Sequence, residues 1–308
     1  MKSEKYIIFE CIGEPAKDIM ATAVVASLKL AHPDRQIIVV TLHPDIWLHN
    51  PDVFRVYKIG AMAYFYDDFV KGKDTLVFRN DPYVTTDFAY GRKHVIDIWC
   101  DLCKVPRKGT MPSLHFTWRE KEAVGKLTNS LIWPLFHIHA TGSLDPNLPY
   151  LWQKDIPPPI VQRIAVEAEK KGYYISGIRA PHHAGGVQNT SAGGYPFTYR
   201  QTLCSLMFSK KRLLIDSDMI QAATALNLPS VALYVAGSPK VTGYDMHRNI
   251  SALAHLSKEE KKKPENVRLA DFISSYKESY DIGGAMRVCP FPLDNLFSAD
   301  EILTSLDL

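Results

Sequence analysis

Hydrophobic and polar positions along the chain repeat one pattern twice: an apolar run, a short polar turn, a helix-spaced apolar segment and a second apolar run. Near the N-terminus the two runs are Tyr6–Cys11 and Gln36–Leu42. Between them Gly13-Glu14-Pro15 reads as a turn. Ile19, Ala23, Ala26 and Leu30 then recur at the spacing of one helix face, which predicts a helix over Ile19–Ala31 with Asp18 just before it and Pro33 stopping it. The second copy is Arg212–Pro239. Leu213–Ile215 is its apolar run, and Asp216-Ser217-Asp218 supplies side chains that accept hydrogen bonds from free N–H groups at a helix start. Ile220, Ala223 and Leu226 follow at helical spacing, and Ser230–Val235 is the closing β-rich run after Pro229. Each copy is a βαβ unit, and such units belong to parallel sheets.

The remaining pattern fills in two halves. Val53–Ile59 and Thr75–Phe78 predict strands, and His94–Cys103, Ser113–Phe116 and Arg119–Leu127 predict helix, strand and helix. The second half restarts with a strand over Pro134–Ala140, a helix over Ile160–Lys171, a strand over Tyr173–Ile178 and a helix over Thr198–Phe208. Two βαβ-based halves in 308 residues predict two Rossmann-like domains with a cleft between them. In open parallel sheets ligands bind outside the carboxyl ends of the strands, where helix N-termini favour phosphate. That makes the Asp216-Ser217-Asp218 turn the first candidate for a nucleotide site.

Composition narrows the class. At 46% hydrophobic and 22% charged residues the chain is globular, and 36 Lys and Arg against 33 Asp and Glu leave no basic footprint that demands a nucleic acid. The apolar run after the first residues is too short for a signal peptide, and no apolar stretch reaches about 18 residues, so a cytoplasmic protein without membrane insertion is expected. Five cysteines, an odd number, suit a reducing compartment. Cys100-x-x-Cys103 lacks the second pair of ligands a zinc site needs, so it reads as two small apolar residues on one helix face.

Four patches in order resemble a known family. Asp18–Pro33 followed by Gln36–Leu42 and Asn50-Pro51-Asp52-Val53 is similar to the N-terminal pattern of the family 9 glycosyltransferases, the ADP-heptose:lipopolysaccharide heptosyltransferases. His139–Ser143 resembles their His-Pro-Gly-Ala-Ser loop, Lys154-x-x-Pro157 their Lys-x-Trp-Pro, and Leu213–Tyr234 their strand, Asp-Ser, Ala-rich helix and Gly-x-Pro strand. The resemblance implies an α/β GT-B fold, two Rossmann-like domains facing each other across a cleft. Residues 1–131 would be the acceptor domain, 132–285 the nucleotide-sugar domain and 286–308 a tail packing back on the N-terminal domain. It also implies an inverting glycosyltransferase that moves a sugar from a nucleoside-diphosphate sugar to an acceptor hydroxyl. Asp18 matches the catalytic aspartate. Thr141, Gly142, Ser143, Lys154, Asp216, Ser217, Asp218 and Gln221 match the donor site, and Lys17, Arg179 and His183 are candidate donor or acceptor contacts.

A departing diphosphate can be stabilised by a lysine and a helix N-terminus, so no metal is required. A divalent ion held by Asp216-x-Asp218 stays an alternative. Two departures bear on chemistry. Lys17 stands where the family has glycine, which puts a cation beside Asp18 and is expected to depress its pKa. Asp218-Met219-Ile220-Gln221 replaces Gly-Pro-x-His and sets a carboxylate where diphosphate charge is expected. A saccharide or lipopolysaccharide acceptor, a hydroxylated base in DNA, and a non-catalytic nucleotide- or sugar-binding role all remain open at this level, as does the oligomeric state.

Overall fold

The protein is described from a computed structural model, which places residues 4–129, 133–141, 154–178, 188–189, 197–235, 237–263 and 296–308. It divides into two compact units that part at Trp118–Arg119, with the short segment Thr224–Asn227 counted with the first.

The first unit runs β1 (Lys5–Cys11), α1 (Pro15–Ala31), β2 (Gln36–Thr41), β3 (Arg55–Lys58), α2 (Phe65–Phe69), β4 (Asp74–Phe78), α3 (Thr86–Ala89) and α4 (Val95–Leu102). Among the described residues its sheet has four strands in the order β3-β2-β1-β4, and every pairing is parallel. β1 lies centrally, so Ile7, Ile8 and Phe9 are buried on both faces, which is why the sequence reads as a continuous apolar run. The helix begins earlier than its apolar spacing suggests. Pro15 is its first residue, a position where a missing N–H costs nothing, and Glu14 takes the extended cap conformation. Asp18 therefore lies inside the first turn. Ser113–Phe116, expected as a strand, pairs with none. The N–H of Ser113 is met instead by the Thr22 hydroxyl of α1 at 2.8 Å.

The second unit runs α5 (Trp118–Asn129), β5 (Leu135–His139), α6 (Pro158–Lys170), β6 (Tyr174–Ile178), β7 (Gln188–Asn189), α7 (Tyr199–Ser205), β8 (Ser209–Ile215), α8 (Asp218–Ala225), β9 (Val231–Tyr234), α9 (Pro239–Thr242), β10 (Arg248–Ser251), α10 (Lys258–Lys261) and α11 (Ala299–Leu306). From Arg119 onward α5 is counted with this unit, ahead of the expected boundary at residue 131, and its Glu120 pairs with Arg200 of α7. Among the described residues the sheet is parallel in the order β10-β9-β8-β5-β6-β7. The chain builds outward from β5 to β6 and β7 on one side, then crosses to β8, β9 and β10 on the other. The reversal point lies between β5 and β8.

The described part of the C-terminal segment corrects an expectation. Leu296, Phe297, Ile302 and Leu306 are buried in one cluster with Phe136, Ile164, Leu213 and Leu233, so residues 296–308 belong to the second core and not to the first unit. The apolar spacing of α11 needs a covering partner, and the sheet of its own unit supplies it. Emptying that position should be felt by the second unit. Phe297→Ala is expected to lower stability by about 3–5 kcal/mol in urea unfolding; a loss below about 1 kcal/mol would show that the segment is not core.

Candidate functional site

In the first unit the sequence-predicted residues gather at the carboxyl edge of the sheet. Asp18 has no exposed surface. Its Oδ1 accepts hydrogen bonds from the Thr41 hydroxyl at the end of β2 and from the Trp47 indole N–H at 2.7 Å, while Oδ2 is buried without a partner. Burial pushes the Asp18 pKa up from 3.8 to about 6, against the pull of the Thr41 and Trp47 hydrogen bonds and of positive charge on His43. His43 is half-buried just past β2. Its backbone N–H donates to the Thr41 hydroxyl oxygen at 2.9 Å, and its Nε2 lies 2.9 Å from the Gly13 carbonyl oxygen. Neither Thr41, His43 nor Trp47 was singled out by sequence. The first two had a usable signal, since polar residues at a strand's carboxyl end are where such folds place function; Trp47 had none.

Lys17 does not act on Asp18 as expected. Its side chain, 7% exposed, turns the other way: Nζ donates to the Ile12 carbonyl at 2.8 Å, pairs with Asp81 at 2.9 Å and lies 5.5 Å from the ring centres of both Tyr83 and Trp99. The lysine thus ties the loop after β1 to the loop after β4. Its stem crosses Gly13, where φ is +147° and a Cβ would come within 2.9 Å of Lys17 Cδ, so that position requires glycine. The aromatic stretch Tyr64–Asp68 divides: Phe65 packs edge-on against Tyr57 and Phe69, while Tyr64 and Tyr66 are exposed. Within Arg79–Tyr90, Asp81 caps a 3-10 turn over Pro82–Val84 by accepting from the Tyr83 N–H, ahead of α3.

In the second unit the predicted residues converge on the reversal point. β5 ends at His139, Ala140 and Thr141 follow, and Thr141 bridges to Asp155, the neighbour of the exposed Lys154. β8 ends in the Asp216-Ser217-Asp218 turn. Ser217 is the cap: its hydroxyl accepts the Met219 N–H at 3.2 Å and donates to the Ile215 carbonyl at 2.9 Å. Asp216 serves the loop after β9. It accepts from the Thr242 hydroxyl at 3.3 Å, and its Oδ2 lies so close to Gly237 that a Cβ there would approach to 1.8 Å. Asp218, the carboxylate expected to oppose a diphosphate, turns to Tyr199, whose hydroxyl donates to Oδ2 at 2.8 Å, and its Oδ1 is 3.9 Å from His139 Nε2. Gln221 is 1% exposed and spans α8 to the same loop, donating to the Thr242 carbonyl at 2.9 Å and accepting from the Tyr244 hydroxyl at 2.6 Å. It braces the site rather than lining it, against the expectation of nucleotide contact. Tyr199, Thr242 and Tyr244 carried no sequence signal.

Other buried titratable side chains belong to the cores. His137 is fully buried beside Ser176 and Arg212, and burial pushes its pKa down to about 3. Cys100 and Cys103 are buried free thiols, and burial pushes Cys103 up to about 12. Among the described residues no cluster of three or more His, Cys, Asp or Glu is placed to hold a metal ion, and Asp216 and Asp218 face different partners. Gly142, Ser143, Arg179 and His183 lie outside the described residues.

No protein-family model matches the chain, and no curated protein matches it in sequence. Solved structures do. A family 9 glycosyl transferase from Veillonella parvula matches with a TM-score of 0.66 at 14% identity, over 100% of this chain and 97% of that one. The E. coli ADP-heptose lipopolysaccharide heptosyltransferase II matches with a TM-score of 0.60 at 14% identity, over 89% of this chain and 100% of that one. The iron-containing dodecameric glycosyltransferase TibC of enterotoxigenic E. coli matches with a TM-score of 0.59 at 10% identity, over 90% and 75%. At these identities the likeness establishes the fold, an α/β GT-B-type architecture, as the four sequence patches implied.

The state of Asp18 makes a test of sign. Ionising a carboxylate whose pKa has risen from 3.8 to about 6 costs the native state about 3 kcal/mol above pH 6, and the cost fades as pH falls towards 4. Asp18→Asn carries no charge, so it is expected to melt at or above wild type near neutral pH and to lose that advantage in mildly acidic buffer. Differential scanning calorimetry across this range decides it. A variant whose deficit is largest near neutral pH would mean that the buried charge stabilises the fold.

Proposed function

We propose that this chain is an inverting glycosyltransferase that moves a sugar from a nucleoside-diphosphate sugar to a saccharide hydroxyl, as in lipopolysaccharide assembly. The observation that carries the reading is the convergence of Thr141, Lys154 and the start of α8 at the strand reversal of the second sheet, within a fold matched over the whole chain by a family 9 glycosyltransferase. A reversal of strand order is where open parallel sheets bind nucleotides. The relatives named above include an enzyme described by its ADP-heptose and lipopolysaccharide substrates, which supports a nucleoside-diphosphate donor and a saccharide acceptor. None of the three is described as acting on DNA. No helix among the described residues is long and apolar enough to cross a membrane.

On the donor side the departing diphosphate accumulates negative charge, which the exposed Lys154 ammonium and the N-terminal dipole of α8 stabilise more in the transition state than in the ground state. Asp218 stands at the same helix start and keeps its charge, with Oδ2 hydrogen-bonded by the Tyr199 hydroxyl. On the acceptor side a sugar hydroxyl is a weak nucleophile and needs a base as the new bond forms on the face opposite the leaving group. We assign the dependence on base to Asp18, whose pKa of about 6 leaves it mostly ionised at neutral pH yet basic enough to favour proton uptake.

Three outcomes test this reading. Lys154→Ala is expected to weaken nucleotide-sugar binding by about 1–3 kcal/mol, the worth of a charged hydrogen bond, and unchanged affinity in a calorimetric titration would remove Lys154 from the site. Transfer is expected to survive EDTA; loss on chelation with recovery in Mg²⁺ or Mn²⁺ would move the donor site to a metal-assisted class. Asp18→Asn should lower transfer by about 10²–10⁴-fold, and the wild-type rate should fall as pH drops below about 6, because the protonated carboxyl no longer serves. A profile flat from pH 7 to 5 would dissociate Asp18 from the reaction.

A further inference from the structure

Asp218 places a carboxylate, 8% exposed, at the first residue of α8, the helix start to which the donor phosphates are assigned above. The Tyr199 hydroxyl donates to its Oδ2, but a neutral donor leaves the charge in place. Asp216 stands two residues earlier, and the buried Asp155 lies across from Thr141, so carboxylates gather where a diphosphate would bring more negative charge. Buried charges persist where they are paired. The ring of His139, the last residue of β5, is 4% exposed, and its Nε2 lies 3.9 Å from Asp218 Oδ1. That is beyond hydrogen-bond distance and within the reach of charge. The sheet brings the two together: β5 pairs with β8, His139 opposite Leu214, so the end of β5 meets the turn by which β8 enters α8. His137, two residues earlier on the same face of β5, is kept neutral by burial. Arg212, opposite His137, spends its guanidinium on the carbonyls of Leu206, Ser209 and Pro229.

We propose that His139 is an imidazolium paired with Asp218, and that this pair sets the charge of the donor site: the ring offsets a carboxylate that would otherwise repel the diphosphate. The inference rests on the donor site proposed above and names what lets that site accept an anion. A carboxylate beside a histidine favours the protonated ring, and the imidazolium in turn lets the carboxylate stay ionised away from water. Together they carry no net charge, so Asp218 subtracts little from the attraction that the Lys154 ammonium and the N-terminal dipole of α8 exert on phosphate. Tyr199 fixes the second carboxylate oxygen and so holds Asp218 in its place beside the ring. His139 is a positioning residue in this arrangement: it acts on the donor through Asp218 and does not touch it.

The test screens the full chain for melting shifts with ADP-, UDP-, GDP- and CDP-sugars, then titrates the donor giving the largest shift into wild type, His139→Gln, Asp218→Asn and the double variant. His139→Gln removes the ring's charge and leaves the carboxylate unbalanced, so it is expected to bind the donor about tenfold more weakly. In the Asp218→Asn background the same change is expected to cost less than about twofold, because no charge is left to offset. Nitrogen NMR of histidine-labelled protein near neutral pH is expected to show one imidazolium in wild type that turns neutral in Asp218→Asn. An equal loss of affinity in both backgrounds means that the ring meets the donor itself, and it overturns the proposal while leaving the donor site standing. Variants that melt earlier but bind the donor as wild type does make the pair a support of the fold alone and overturn it equally. Should His139→Gln not fold, the nitrogen spectra decide, and a histidine set unchanged between wild type and Asp218→Asn overturns the pairing. A wild-type chain that none of the donors stabilises overturns the donor-site reading, and this proposal with it.

Discussion

Because the described strands of both sheets run parallel to their neighbours, the carboxyl ends of β1, β2 and β4 emerge at one edge of the first sheet and those of β5, β8 and β9 at one edge of the second. Parallel pairing forbids tight hairpins, so each strand must leave its sheet into a loop and return through a crossover. Many of the residues described above stand at or shortly after those ends: Gly13, Lys17 and Asp18 after β1, Thr41 and His43 at β2, Asp81 after β4, Thr141 after β5, Asp216–Asp218 after β8, and Thr242 and Tyr244 after β9. The sites follow from strand direction first and from residue identity second.

Within those loops the unit manages buried charge in two ways. Lys17 is fully answered, by a carbonyl, a carboxylate and two aromatic faces. Asp18, its neighbour in sequence, is answered on one oxygen alone. Desolvation of the carboxylate disfavours its charge by more than the hydrogen bonds from Thr41, Trp47 and Cys11 and the positive charge on His43 restore, which is why its pKa ends above its ordinary value. Two charges one residue apart on a helix point in different directions, so proximity in sequence says little about coupling.

That distinction marks what was legible. The βαβ pattern in both halves of the chain, the capping Ser217 and the buried-strand runs could be read from periodicity, because they are local or follow from strand direction. The role of Lys17 could not, since its partners Asp81, Tyr83 and Trp99 are distant in sequence and rotamer choice decides between them and Asp18. Gln221 likewise looked like a ligand contact because it stands one turn into α8, yet both ends of its amide are taken inside the fold. The strand expected at Ser113–Phe116 failed because its backbone found a side-chain partner on α1. Where a polar group is satisfied is a tertiary fact, and a one-dimensional pattern does not contain it.

The departures from the family motif gain a physical account on the same terms. With lysine at position 17, the close approach in this loop falls at Gly13, whose backbone lies under the Lys17 stem at φ +147°. Lysine at 17 and glycine at 13 are therefore one feature, and replacing either alone would displace the loop that holds His43 through the Gly13 carbonyl. Asp218 follows the same logic in the second unit. At the first residue of α8 a carboxylate complements the helix dipole, and the Tyr199 hydroxyl and His139 fix it sideways. The charge is therefore fixed by groups of the fold itself, and replacing Tyr199 or His139 would remove part of what holds the Asp218 carboxylate in place.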